Sequence, residues 1–65
     1  MLKIASVWKN KKTGNNYIVR GNAINATNDF EGVPMVLYQR TLDKDGVLWC
    51  RTEEEFFSKF ELIAE

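Results

Sequence analysis

The fold of this chain is decided by residues 34–60, which read PMVLYQRTLDKDGVLWCRTEEEFFSKF. Two runs rich in apolar and aromatic side chains, 35–42 and 47–51, flank the turn sequence DKDG at 43–46. This pattern is typical of a β-hairpin whose four-residue loop is a type I turn closed by glycine. The stretch therefore predicts two paired strands, followed by a short helix.

Side chains of the two strands sort into two faces, because successive strand residues point in opposite directions. A four-residue loop places Tyr38 opposite Arg51. We expect the core face to hold Met35, Leu37, Leu48 and Cys50. We expect the solvent face to hold Val36, Tyr38, Arg40, Trp49 and Arg51. A three-residue loop with a glycine bulge would shift the pairing by one residue and mix the two sets, so the faces depend on the turn type.

A capping box predicts where the helix begins. The hydroxyl of Thr52 can accept a hydrogen bond from the amide of Glu55, whose carboxylate can reach back to the threonine amide. The acidic first turn also faces the positive end of the helix dipole. We expect a helix of about one to two turns from Glu53, and residues 61–63 can add a last short strand. We expect its buried side to hold Phe56, Phe57 and Phe60.

The first half of the chain predicts further strands. Residues 2–8 alternate weakly, and residues 17–20 form a β-branched and aromatic run. The turn-rich sequence NKKTGNN at 10–16 separates them and predicts a hairpin loop. Gly21 signals a bend or bulge, beyond which residues 23–26 continue the strand.

Length and composition limit the chain to one small domain, residues 1–65. This size lies near the low end of what a hydrophobic core alone stabilises. The hydrophobic fraction of 45% and the charged fraction of 28% are typical of folded chains. The fold is predicted to be mainly β: a small bent antiparallel sheet, or an SH3-like partly open barrel, of about four to five strands with one short C-terminal helix.

The single cysteine and the distribution of apolar residues predict a cytoplasmic protein. Cys50 has no partner for a disulfide within the chain, which fits a reducing compartment. No apolar run resembles a membrane span or a signal peptide, so we expect no membrane partner.

The residues that carry chemistry argue against an enzyme. The chain has no histidine, which excludes a histidine-based triad and a histidine-containing zinc site. Neighbouring glutamates at 53–55 point in different directions on a helix and do not converge. Cys50 lies on the predicted core face without a histidine to activate it, so we expect a buried, inert thiol. We therefore expect no catalytic residue, no metal and no cofactor.

Several short motifs follow one another in a characteristic order along residues 7–60. They are Trp8, then Lys12 and Gly14, then Tyr17 and Val19, then Val36 and Tyr38, then Trp49 and Arg51, then Phe56. In this order the chain resembles a family of short bacterial and phage proteins catalogued as a domain of unknown function. The resemblance implies a small β-rich domain without an assigned reaction.

The leading functional hypothesis is a non-catalytic binding module, an accessory protein of a phage or bacterium. It would contact a protein partner, or a second copy of itself, through an aromatic–arginine surface, because aromatic residues and arginine dominate interface energetics. The predicted binding residues are Tyr38, Arg40, Trp49 and Arg51. The alternative for these residues is that they only stabilise the sheet through cross-strand contacts.

Two further hypotheses use other combinations of residues. A nucleic-acid binder would use the basic first hairpin, with Trp8, Lys9, Lys11, Lys12 and Tyr17. The net charge of zero favours a solvated loop tip there instead. A binder of a small, nucleotide-like ligand would stack it on Trp49 and hold it with Arg51.

Charge is distributed unevenly along the chain. Residues 1–27 carry five bases and no acid, whereas residues 52–65 carry five acids and one lysine. The basic half could form an anion-binding face, or the two halves could lie side by side and neutralise each other.

Overall fold

The computed structural model describes residues 1–65 and contains five strands and one helix. The elements are β1 (Val7–Asn10), β2 (Asn16–Ile24), β3 (Pro34–Arg40), β4 (Trp49–Thr52), α1 (Glu53–Lys59) and β5 (Phe60–Ala64). All strand pairs are antiparallel, and they form one open sheet in the order β4-β3-β2-β1-β5. The predicted mainly β fold, with one short helix near the C-terminus, is confirmed. No helix in the chain has the length and apolar character needed to cross a membrane.

The first strand begins later than predicted, at Val7 instead of residue 2. The side chain of Asn22 binds the backbone of Leu2 at both groups: Oδ1 accepts from the amide at 3.0 Å and Nδ2 donates to the carbonyl at 2.8 Å. Ala5 then adopts a left-handed backbone, with φ of 71°, which interrupts the extended conformation. The N-terminal segment is therefore held against β2 by the Asn22 side chain and by backbone hydrogen bonds of Ala5 and Ser6 with Val19.

The first hairpin and the bend in β2 follow the sequence prediction. In the turn, Asn10 Oδ1 accepts hydrogen bonds from the amides of Lys12 and Thr13. The pairing of β2 with β3 changes register between Val19 and Gly21, and β2 continues beyond this point. The predicted bulge at Gly21 is confirmed, and such a bulge bends the strand that carries it.

The register of the second hairpin differs from the prediction by two residues. Tyr38 lies opposite Trp49, and Arg51 lies opposite Val36. The connection is longer than a four-residue turn, because residues 41–48 lie outside both strands. Since a shift of two residues preserves the alternation, the two predicted sets of side chains keep their membership.

The orientation of the two faces is the reverse of the prediction. Val36 and Tyr38, expected in solvent, are buried with relative exposures of 0% and 4%. Leu48 and Cys50, expected in the core, are exposed. Met35 and Leu37, also expected in the core, are only half-buried. The cause lies in α1, which packs over the face that carries Val36 and Tyr38 and closes the core there.

Aromatic rings make up most of the core. Its buried apolar residues are Leu2, Trp8, Val19, Val36, Tyr38, Phe56 and Phe60. The rings of Phe56 and Phe60 stack with their centroids 4.4 Å apart. The expected burial of Phe57 is wrong: its ring is half-exposed, because residue 57 lies about 100° around the helix from residue 56. Its ring lies edge-on to that of Trp8, with the centroids 5.7 Å apart.

The capping box at the start of α1 is half formed. The hydroxyl of Thr52 accepts from the amide of Glu55 at 3.1 Å, as predicted. The Glu55 carboxylate accepts from Arg51 instead of reaching back to the threonine amide. This contact connects the first turn of α1 to Arg51 on β4.

Candidate anion-binding cleft

One of the four residues of the predicted aromatic–arginine surface is buried. Tyr38 belongs to the core, so the prediction that its ring is free for a ligand is wrong. Trp49, with a relative exposure of 52%, and Arg40 are exposed, and Arg51 is half-buried. The pairing of Tyr38 with Trp49 keeps all four residues on the same side of the sheet. Three of them therefore remain accessible along the edge formed by β3 and β4.

The five residues predicted to bind nucleic acid are also only partly accessible to a ligand. Trp8 is buried, and its indole Nε1 donates to the buried hydroxyl of Ser6 at 2.9 Å, so its ring cannot stack on a base. Tyr17 is half-buried against the core. Lys9 forms an ion pair with Glu61 at 3.0 Å. Lys11 and Lys12 are exposed.

Accessible residues from both predicted sites lie around one cleft. A cleft with a volume of about 200 Å³ is lined by Asn10, Lys11, Lys12, Thr13, Arg51 and Lys59. Four of these six residues carry a positive charge and none carries a carboxylate. We call this feature the cationic cleft. It lies between the first hairpin turn and the C-terminal end of α1, with the arginine reaching in from β4.

A backbone hydrogen bond ties the two walls of the cleft together. The amide of Lys11 donates to the carbonyl of Lys59 at 3.0 Å. The chain brings them together because β5 starts directly after the helix and pairs with β1, placing Phe60 opposite Asn10. The spacing of the walls is therefore fixed by the sheet rather than by flexible side chains.

Arg51 is held in place from two sides. Its Nε donates to the Tyr38 hydroxyl at 2.7 Å, and Nη1 binds the carboxylate of Glu55. The guanidinium carbon lies 6.0 Å from the centroid of the Phe60 ring. The hydrogen bond to Tyr38 raises the pKa of Arg51 above its usual value. Its second terminal nitrogen, Nη2, has no protein partner and remains free to donate to a ligand.

Lys59 is the cleft-lining residue that sequence reasoning missed. In the sequence it stands as a single cation among the acids of residues 52–65. It lies in the last turn of α1, where a positive charge also interacts favourably with the helix dipole. The predicted strand after the helix could have revealed its position. If that strand pairs with the first strand, the end of the helix must lie beside the turn of the first hairpin.

A second cavity, of about 210 Å³, lies at the other end of β2 and β3. It is lined by Met1, Asn22, Ala23, Ile24, Pro34, Met35 and Glu53. The terminal amine of Met1 and the carboxylate of Glu53 face each other at 3.6 Å. The two charges offset each other, so this cavity offers a ligand no concentrated charge of one sign.

Comparisons with protein-family models, with curated proteins and with solved structures gave no match. Four of the six residues that line the cationic cleft are positively charged hydrogen-bond donors, and such groups recognise anions.

Proposed function

We propose that this chain is a non-catalytic binding module that holds an anionic group of its ligand in the cationic cleft. The supporting observation is the convergence of Lys11, Lys12, Arg51 and Lys59 around one cavity of about 200 Å³. Four like charges at close range repel one another, and a bound anion relieves this repulsion. Glu55 compensates only Arg51, so the three lysines retain their charge for the ligand.

The identity of the four cations favours a ligand with more than one negative charge. Arginine can bind a carboxylate or a phosphate through two parallel hydrogen bonds, whereas lysine acts as a mobile point charge. In Arg51, Nε already binds Tyr38 and Nη1 already binds Glu55, so most of the positive charge for a ligand comes from the three lysines. The additional lysines therefore favour phosphate groups or closely spaced carboxylates.

Binding of fluorescent polyanions at low salt tests this proposal. The probes are a single-stranded oligonucleotide and poly-glutamate, followed by fluorescence anisotropy. We expect the double variant Lys11→Gln, Lys12→Gln to lose affinity for the probe that binds. The matched control is Lys3→Gln, which removes an exposed lysine of the N-terminal segment, outside the cleft. The proposal is wrong if neither probe binds, or if the control weakens binding as much as the double variant.

A protein partner is the second candidate, favoured by the position of Trp49. This exposed ring lies on β4, which pairs with only one other strand and leaves its outer backbone groups free. An edge strand of this kind can pair with a strand from another chain. Arg40 and Arg51 lie on the same side as the ring, and such residues are enriched at interfaces.

Self-association through β4 is the most direct form of this second candidate. It predicts a molar mass, measured by light scattering, that rises with protein concentration and returns to the monomer value in Trp49→Ala. A wild-type chain that stays monomeric at all concentrations rules out the homo-oligomer. Retention of a purified partner by Trp49→Ala at full affinity rules out this surface for other proteins.

We also infer that the fold is SH3-like and that the chain acts in the cytoplasm of a bacterium or of a phage-infected cell. The SH3-like interpretation is supported by the strand order, in which β1 pairs with both β2 and β5 and the helix precedes the last strand. The location is supported by the exposed free thiol of Cys50, which persists in a reducing compartment.

A further inference from the structure

We propose that the ligand of the cationic cleft is a single-stranded nucleic acid, with its phosphates in the cleft and one unpaired base stacked on Trp49. This inference rests on the proposed function, since it specifies the ligand of the same cleft. It unites the accessible residues of two predicted sites that lie far apart in the sequence.

Trp49 lies two residues before Arg51, one of the residues that line the cleft. On β4 this spacing sends both side chains to the same side of the sheet. Their Cα atoms are separated by about 6.6 Å, the rise of two strand residues, which is comparable with the length of one nucleotide. Arg40 lies on β3 two residues beyond Tyr38, the residue opposite Trp49, so its side chain leaves the same side of the sheet. A base on the ring and a phosphate at Arg51 can therefore belong to neighbouring positions of one strand.

Trp49 differs from the other large polar aromatic residues of the chain. Trp8, Tyr17 and Tyr38 each contact other rings of the core. Trp49 makes no ring contact and is half-exposed. A base can stack on such a ring only when one face of the base is free. In a duplex, neighbouring base pairs cover both faces of each base. Stacking on an exposed ring beside a positive groove is characteristic of proteins that bind single strands.

An acidic peptide fits this arrangement less well. Its carboxylates can reach the lysines, but acidic side chains provide no flat apolar group for the indole. A nucleic-acid strand supplies one negative charge and one aromatic base at every nucleotide. The combination of four cations with one free indole therefore favours the nucleic acid.

Salt dependence measures how many cations contact the strand. Four contacts with a single strand give a slope of about −2.8 in log affinity against log salt, or about a fiftyfold loss between about 50 and about 200 mM salt. Removing two contacts leaves a slope of about −1.4 and about a sevenfold loss. Anisotropy of labelled oligo(dT) should show the first value for the wild type and for Lys3→Gln. It should show the second for the double variant Lys11→Gln, Lys12→Gln.

Trp49 variants test the stacking separately. Loss of one stacked base should weaken oligo(dT) binding about five- to 150-fold in Trp49→Ala. Trp49→Phe retains a ring face and should recover most of this loss. Circular dichroism of each variant checks that it is folded. We expect both variants to fold, because Trp49 lies outside the core.

The outcomes separate this inference from the proposed function. Binding of poly-glutamate or duplex DNA as tightly as oligo(dT), or binding by Trp49→Ala within about twofold of the wild type, overturns the nucleic-acid inference. The anion-binding proposal survives these results if the lysine variants still lose affinity. If no polyanion depends on the two lysines, the proposed function fails, and this inference fails with it.

Discussion

Tyr38 connects the core to the candidate site through a single side chain. Its ring is buried among Tyr17, Phe56 and Phe60, and its hydroxyl accepts from Nε of Arg51. Tyr38→Phe keeps the ring and removes the acceptor. We expect a loss of stability of about 1 to 2 kcal/mol, because the donor is charged and partly buried. Urea unfolding measures this loss, and unchanged stability would show that the hydrogen bond contributes nothing.

The charge of Arg51 should make anion binding independent of pH near neutrality. The hydrogen bond from the guanidinium to Tyr38 raises the pKa of Arg51, so its contribution is complete below the unfolded pKa and is lost only as pH rises through the still higher folded value. No histidine is present to titrate near neutral pH. We expect the affinity for a phosphodiester strand to be constant between about pH 6 and about pH 8. A titration step within this range would contradict this assignment of the site.

Core residues were predicted correctly at only two positions on or next to the helix, and Phe57 on the same helix was wrongly expected to be buried. Phe56 and Phe60, four residues apart, were correctly expected in the core, but Leu48 was not correctly placed. Leu48→Ala should now change stability by less than about 0.5 kcal/mol, as exposed substitutions do. Phe56→Ala should cost about 3 to 5 kcal/mol, which approaches the total stability of a domain this small. Thermal unfolding of both variants checks the contrast, and a larger loss in Leu48→Ala would reverse the assigned faces.

At the scale of elements, α1 is short and depends on its cap. The helix spans Glu53–Lys59, and the Thr52 hydroxyl satisfies one of its free amides. Thr52→Ala should cost about 0.5 to 2 kcal/mol, whereas Thr52→Ser keeps the acceptor and should be close to the wild type. Because the far end of α1 carries Lys59 into the cleft, we also expect weaker anion binding in Thr52→Ala. Equal melting temperatures for the two variants would contradict a role for the cap.

The sequence predicted the elements better than their pairing. Turn residues located both hairpins, and the threonine followed by glutamates located the helix start. The register of the second hairpin escaped prediction because Asp45 Oδ1 accepts from the amide of Val47, a local bond that competes with a tight type I turn. The choice of face also escaped prediction, since alternation defines two sets of side chains and only the position of the helix decides which set is buried.

At the scale of the whole molecule, the two oppositely charged halves of the chain lie side by side only in part. Lys9 meets Glu61, and the terminal amine of Met1 meets Glu53. Lys11 and Lys12 extend beyond these pairs into the cationic cleft. The sequence offered neutralisation and an anion-binding face as alternatives. Charges neutralise each other between β1 and β5. At the turn of the first hairpin, the lysines line the cleft that we propose binds an anion.

The cleft as a unit was beyond sequence reasoning because its parts come from three distant segments. Residues 10–13, Arg51 and Lys59 meet only after β5 has paired with β1 and α1 has packed on the sheet. The nucleic-acid hypothesis contained Lys11 and Lys12, and the aromatic–arginine hypothesis contained Arg51. Neither could show that these side chains share one cavity.

Magnetic-resonance titration of the ¹⁵N-labelled protein with pyrophosphate at low salt tests the anion-binding cleft most directly. We expect the largest shifts at the amides of Lys11 and Lys12 and at Nε–H of Arg51, while residues around Met1 and Ile24 at the other cavity remain unchanged. Shifts concentrated around Met1 and Ile24, or no shift at the three cleft positions when pyrophosphate is in large excess, would contradict the account.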